Sequence, residues 1–130
     1  MPIHRSFRVP PSRTWRAKFR YAFRGLYLGI RGQKSFIVHL PMAVAVVICA
    51  GLLRVEFWEW MVLLLCITAV FTAELFNSAI ETLGSAVDRH YNLRVGVALD
   101  IASAAVLVAS LGASTVGAAI FLRRLWMWWI

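Results

Sequence analysis

Glu74, Asn77 and Glu81 stand three and seven residues apart, and a helix that turns about 100° per residue sets all three within one narrow stripe. Measured from Trp60, where an aromatic pair marks a membrane boundary, Glu74 lies roughly 21 Å along the axis and Glu81 roughly 31 Å. One carboxylate is therefore still at hydrocarbon depth, where the hydroxyl of a lipid can reach it. The other is at the interface, where water and phosphate can. A carboxylate inside a span costs at least about 2.5 kcal/mol on insertion scales, so its retention needs a reason. The structural alternative ties Glu74 to Asn77 or to a serine across a helix contact. Two acids and an amide on one stripe, with Asp100 early in the next apolar run, favour chemistry at a lipid hydroxyl.

The elements that must carry this stripe are membrane helices. The chain has 130 residues, 61% of them hydrophobic, with a mean hydropathy of +0.72, well above an ordinary soluble domain. So short a chain cannot bury that many large side chains in a core of its own. Phe36 to Leu53 is apolar apart from His39, and 18 residues give about 27 Å, close to the hydrocarbon thickness. Arg54, Glu56 and Glu59 make a short polar turn beside Trp58 and Trp60, and a second span follows over 58–84. Residues 84 to 96 read as a polar loop, and a third span covers 98–122, closed by Arg123, Arg124 and a tryptophan cluster. Its small residues Ala105, Ala109, Ala113 and Gly117 form an i+4 ladder that permits close helix approach, between subunits or within one.

The net charge of +8 is concentrated at the N-terminal end, from Arg5 to Lys34. Residues 1–13 hold Pro2, Pro10 and Pro11 among arginines and read as a loose basic tail; 14–130 form a single membrane domain. Over 14–32, Phe19, Ala22, Phe23, Leu26 and Ile30 recur at helical spacing opposite Arg16, Arg20 and Arg24, the pattern of an amphipathic helix on a membrane surface. A basic arm beside long spans is explained by the positive-inside rule and anionic lipid headgroups rather than by nucleic acid. The N-terminus and the loop after span two then face the cytoplasm, with the acids toward ATP. Cys49 and Cys66 read as small buried hydrophobes. His39 has no metal-ligand partner at useful spacing and reads as a hydrogen-bonded packing histidine.

The segment Glu74-Leu-Phe-Asn-Ser-Ala-Ile-Glu81, followed by Asp100-Ile-Ala-Ser-Ala-Ala-Val-Leu107, resembles the bacterial integral membrane diacylglycerol kinases and their undecaprenol kinase relatives. The resemblance runs from Tyr21-Ala-Phe-Arg-Gly-Leu26 through Phe36, His39 and Glu59-Trp60 to the end of span three, roughly residues 19 to 122. It implies an all-α integral membrane fold in the bacterial cytoplasmic membrane, a homotrimeric bundle, and a magnesium-dependent transfer of phosphate from ATP to a lipid's primary hydroxyl. By the same resemblance Glu74 is the general base, with Asn77 and Phe23 beside it on the lipid. Glu81 and Gln33 are metal ligands, and Tyr21, Gln33, Glu81, Asp100 and His90 contact the nucleotide. Such a division suits phosphoryl transfer, in which positioning and charge neutralisation do most of the work. No GxxxxGK loop occurs, so a P-loop is excluded.

Three positions depart from the family's pattern. Gln33 stands where many members have a second metal-binding glutamate, Ser85 where an aspartate is common, and Leu99 where a lysine usually precedes the span-three aspartate. Arg94 or the basic surface helix is the candidate replacement for that cation, and Asp88 for that acid. The lipid is expected to be diacylglycerol, with undecaprenol as the alternative inside the family. Outside it stand a non-catalytic descendant of the kinase and a small proton-coupled transporter, for which an acid near the midplane with symmetric polar access is expected.

Overall fold

A computed structural model describes residues 14–32, 34–87, 90 and 92–130. All of its regular structure is helical: α1 (Trp15–Gly32), α2 (Ser35–Leu52), α3 (Phe57–Val87) and α4 (Leu93–Trp129). The last three are each long and apolar enough to cross a membrane. With 31 and 37 residues, α3 and α4 extend about 46 and 55 Å, well past the hydrocarbon thickness, so their ends project beyond it.

The helices run further than hydropathy suggests. Instead of a loop over residues 84 to 96, α3 continues to Val87 and α4 begins at Leu93. Asn92 explains the early start: with an extended backbone, its Oδ1 accepts from the amides of Arg94 at 3.0 Å and Val95 at 3.4 Å, an N-cap that satisfies donors the helix leaves open. Polar Arg94 then rides on a helix surface. Gly84 brings the two ends together, since a Cβ there would stand 3.1 Å from Val95 Cγ1. Between α2 and α3 the chain turns through Arg54, whose φ of 48° is left-handed. The amides of Arg54 and Val55 return to the carbonyls of Gly51 and Ala50, closing the end of α2.

The pair α3 and α4 makes most of the inter-helix contact, with α2 and α1 each packed on α3. Ala50, Val55, Leu63 and Ile120 form a small core, capped by Trp60, Val116 and Phe121. The buried side of α3 consists of Glu59, Leu63, Val70, Glu74, Asn77 and Ser78, four of them polar. Most large apolar side chains of α2 and α4 face outward, Ile37, Leu107, Val108 and Leu122 among them, as a hydrocarbon surrounding permits.

Glu59 sits in the first turn of α3 rather than in the connecting turn, and is fully buried. Arg123 Nη1 donates to its Oε1 at 3.0 Å and Arg124 Nε to its Oε2 at 2.7 Å. The Glu56 amide adds a third bond at 2.8 Å, and Arg124 also pairs with Glu56 at 2.8 Å. This cluster ties the start of α3 to the end of α4. Removing one partner of a buried pair strands the other. Glu59→Ala is therefore expected to lower the melting temperature of the detergent-solubilised protein by several degrees, and Glu56→Ala, whose side chain is half exposed, to lower it much less.

Candidate functional site

At the other end of the buried side of α3, the carboxylate of Glu74 is 2% exposed. Its Oε1 lies 2.9 Å from Nε2 of His39, reached across the α2–α3 contact. Its Oε2 has no hydrogen-bond partner among the described residues. One turn onward Asn77 is turned away from Glu74: its Nδ2 donates to Glu81 Oε1 at 3.0 Å, and its Oδ1 is buried without a partner. Ser78 Oγ is a third buried polar atom without one. Buried polar atoms are ordinarily satisfied, so three without partners on adjacent turns of one helix single out this stretch of α3. Phe36 and Phe71, edge to face with centroids 5.6 Å apart, set the register of α2 against α3 just above this group.

The stripe expected of Glu74, Asn77 and Glu81 is thus real, but it is graded. Glu74 and Asn77 are buried and Glu81 is exposed, so one carboxylate faces an enclosed site and the other an open one. A carboxylate and an amide oxygen are the hard donors that magnesium prefers, and magnesium uses few protein ligands beside substrate phosphates. The exposed Glu81 carboxylate, with Asn77 Nδ2 donating to it, is a donor of that kind, although the described residues hold no group of three His, Cys, Asp or Glu side chains. Gln33 and Asp88 lie outside the described residues.

Asp100 and Arg94 are both exposed on α4, and among the described residues neither bonds to Glu74, Asn77 or Glu81. Ser85 spends its hydroxyl on the Thr82 carbonyl at 2.9 Å, and Leu99 faces Gly84. His90 is exposed between α3 and α4. Tyr21 and Phe23 sit on α1, 40% and 69% exposed. His39, read from the sequence as a hydrogen-bonded packing histidine, has the buried carboxylate of Glu74 as its polar partner. Helical spacing could not find it, because the contact joins two helices. The signal available was the rule that an intramembrane acid pairs with another polar group, and α2 offers one imidazole.

Beside this group α2, α3 and α4 border a half-open cavity of about 380 Å³. His39 stands at its wall, while Met42, Val46, Val70, Gly117 and Phe121 make it apolar. The cavity has the polarity of a hydrocarbon chain and a polar group at its edge.

Residues 20–121 match the family described as prokaryotic diacylglycerol kinase. The chain is 37% identical over 108 residues to an undecaprenol kinase of Bacillus subtilis, a match that covers 82% of this chain and 87% of that relative. It is 35% identical over 108 residues to a diacylglycerol kinase of Synechocystis sp., covering 82% of this chain and 62% of the relative. No solved structure matches the chain. The chain belongs to the prokaryotic diacylglycerol kinase family. It is accordingly an ATP-dependent lipid kinase, and the matched segment spans α2 and α3 whole, with His39, Glu74, Asn77 and Glu81 inside it.

Helix α1 is held against α3 close to these residues. A Cβ at Gly29 would lie 2.6 Å from Leu75 Cδ2, a separation atoms do not adopt. Leu75 follows Glu74 directly, so this contact couples the helix that carries Tyr21 and Phe23 to the buried carboxylate. An alanine can be met by a small shift of Leu75, whereas the two methyls of valine cannot. Gly29→Val is expected to speed amide hydrogen exchange across 15–32 several-fold in micelles, and Gly29→Ala to change it little.

Proposed function

We propose that the protein transfers the γ-phosphoryl group of magnesium ATP to the primary hydroxyl of diacylglycerol, giving phosphatidic acid and ADP. The observation that carries this reading is the state of Glu74: a buried carboxylate with one oxygen held and the other open. Oε2 takes the proton of the lipid hydroxyl as its oxygen forms the bond to the γ-phosphorus and the bond from that phosphorus to the β-phosphate oxygen breaks. A base of this kind must be within hydrogen-bond reach of the proton it abstracts, and a buried carboxylate at lipid depth meets that need. Glu81, oriented by the Asn77 amide, would hold Mg2+, with Gln33 as a further ligand. When bound, the ion supplies positive charge to the phosphate oxygens and fixes their orientation. Tyr21, Asp100 and His90 are assigned to the nucleotide, and Phe23 to the lipid beside Glu74 and Asn77. Arg94 supplies the cation that Leu99 cannot, and Asp88 the acid missing at Ser85.

The basic N-terminal arm and the segment between α3 and α4 lie on the cytoplasmic side of the bacterial inner membrane, and α1 rests on that surface against anionic headgroups. The active assembly is a homotrimer. The apolar cavity takes the substrate's hydrocarbon chain, which brings a hydroxyl to the Glu74 end. Undecaprenol is the second reading, favoured by the match that covers most of the undecaprenol kinase relative; it presents a primary hydroxyl in the same way.

Transfer of labelled γ-phosphate to diacylglycerol and, separately, to undecaprenol in mixed micelles decides the lipid. Glu74→Gln is expected to lower kcat by roughly 10²- to 10⁴-fold, the worth of a general base, with the KM for ATP nearly unchanged. A Gln variant as active as the parent removes Glu74 from the chemistry, and labelling of neither lipid overturns the kinase assignment. Asn77→Leu is expected to raise the magnesium concentration for half-maximal activity several-fold, because Glu81 loses its bond; an unchanged magnesium titration removes Asn77 from the metal's surroundings.

A further inference from the structure

The Glu74 carboxylate has one partner among the described residues, and it comes from another helix. Asn77 is a polar side chain one turn further along α3, but its amide is given to Glu81. Phe36 and Phe71 bring rings, not donors. His39 alone reaches Oε1, at 2.9 Å. A buried carboxylate with both oxygens open can turn about its terminal torsion, which is broad for such sp³–sp² bonds. A single N–H on one oxygen removes that freedom and leaves the second oxygen in a defined direction. His39 is also the one member of this pair that lines the apolar cavity, 23% exposed against 2% for Glu74. The imidazole thus forms the boundary between the cavity and the carboxylate.

We infer that His39 is the positioning residue of Glu74: its Nε2–H donates to Oε1 and so holds Oε2 ready for the incoming lipid hydroxyl. This rests on the reading of Glu74 as the base. The imidazole itself takes no proton from the lipid. Its part is to keep the acceptor oxygen in one orientation, and small displacements of a reacting group are expensive in rate. Pro41, two residues further along α2, and the Phe36–Phe71 contact before it confine the helix that carries the imidazole.

The test uses the full-length protein in micelles with His39→Leu and His39→Gln, the second of which keeps an N–H donor at similar reach. His39→Leu is expected to lower kcat for lipid phosphorylation roughly 100-fold, with the KM for ATP unchanged. His39→Gln is expected to recover most of the loss. A second readout needs neither ATP nor lipid: modification of Glu74 by a membrane-permeant carbodiimide, located by peptide mass spectrometry. Freed of its partner, Oε1 is expected to react several-fold faster in His39→Leu than in the parent, and His39→Gln to fall back toward the parent. Parental kcat in His39→Leu, an unchanged modification rate, or a Gln variant no better than Leu each overturns the inference. If the parent phosphorylates no lipid and the modification rate still responds to His39, the holding of Glu74 stands and the assignment of Glu74 as a base is what fails.

Discussion

A carboxylate surrounded by hydrocarbon has no water to fall back on, so every one that a span carries must be held by the protein or by a ligand. Helix α3 carries two buried carboxylates at opposite ends of its buried side, and their surroundings differ in kind. Glu59 is saturated: two arginines of α4 and a backbone amide occupy its oxygens. Glu74 is half held, with His39 on Oε1 and nothing on Oε2. The same residue type thus serves as a fastener at one end and as an open acceptor at the other. The difference lies in the number of donors that neighbouring helices bring.

The packing follows from these two demands. To place arginines on Glu59, α4 must run antiparallel to α3 along its whole length, and the small residues Gly84 and Gly117 let the two approach. To place an imidazole on Glu74, α2 must lie against the other part of α3, where the Phe36–Phe71 contact sets its register. The three helices then meet at Leu63 and Ile120 but stay apart near Val70 and Ser110, which leaves the apolar cavity. The acid end of α3 is consequently bordered by a hydrocarbon-like space on one side and by exposed polar helix ends on the other. A lipid kinase needs that combination, since one substrate arrives through the membrane and the other through water.

Much of the architecture was legible in the sequence because hydropathy and helical period are local properties. Three long apolar runs, the tryptophans at Trp58 and Trp60, and the shared stripe of Glu74, Asn77 and Glu81 all depend on spacing alone. The ends of α3 and α4 were less legible. Polar composition over 84 to 96 suggests a loop, yet the Asn92 cap and the Gly84 contact keep most of it helical. Glu59 also defeats a local reading, because its burial comes from Arg123 and Arg124, more than sixty positions away in the chain.

Residue type and helical period are enough for a helical membrane chain and for the face on which its acids lie, and similarity to known proteins places the chain in its kinase family. What those acids touch is a matter of tertiary packing. That Glu74 is paired with His39 and open at Oε2, that Asn77 serves Glu81 instead, and that Glu59 is locked between arginines are all contacts between groups. Those contacts depend on how α2 and α4 are rotated and shifted against α3, and helical spacing within one helix carries no information about the rotation of its neighbour.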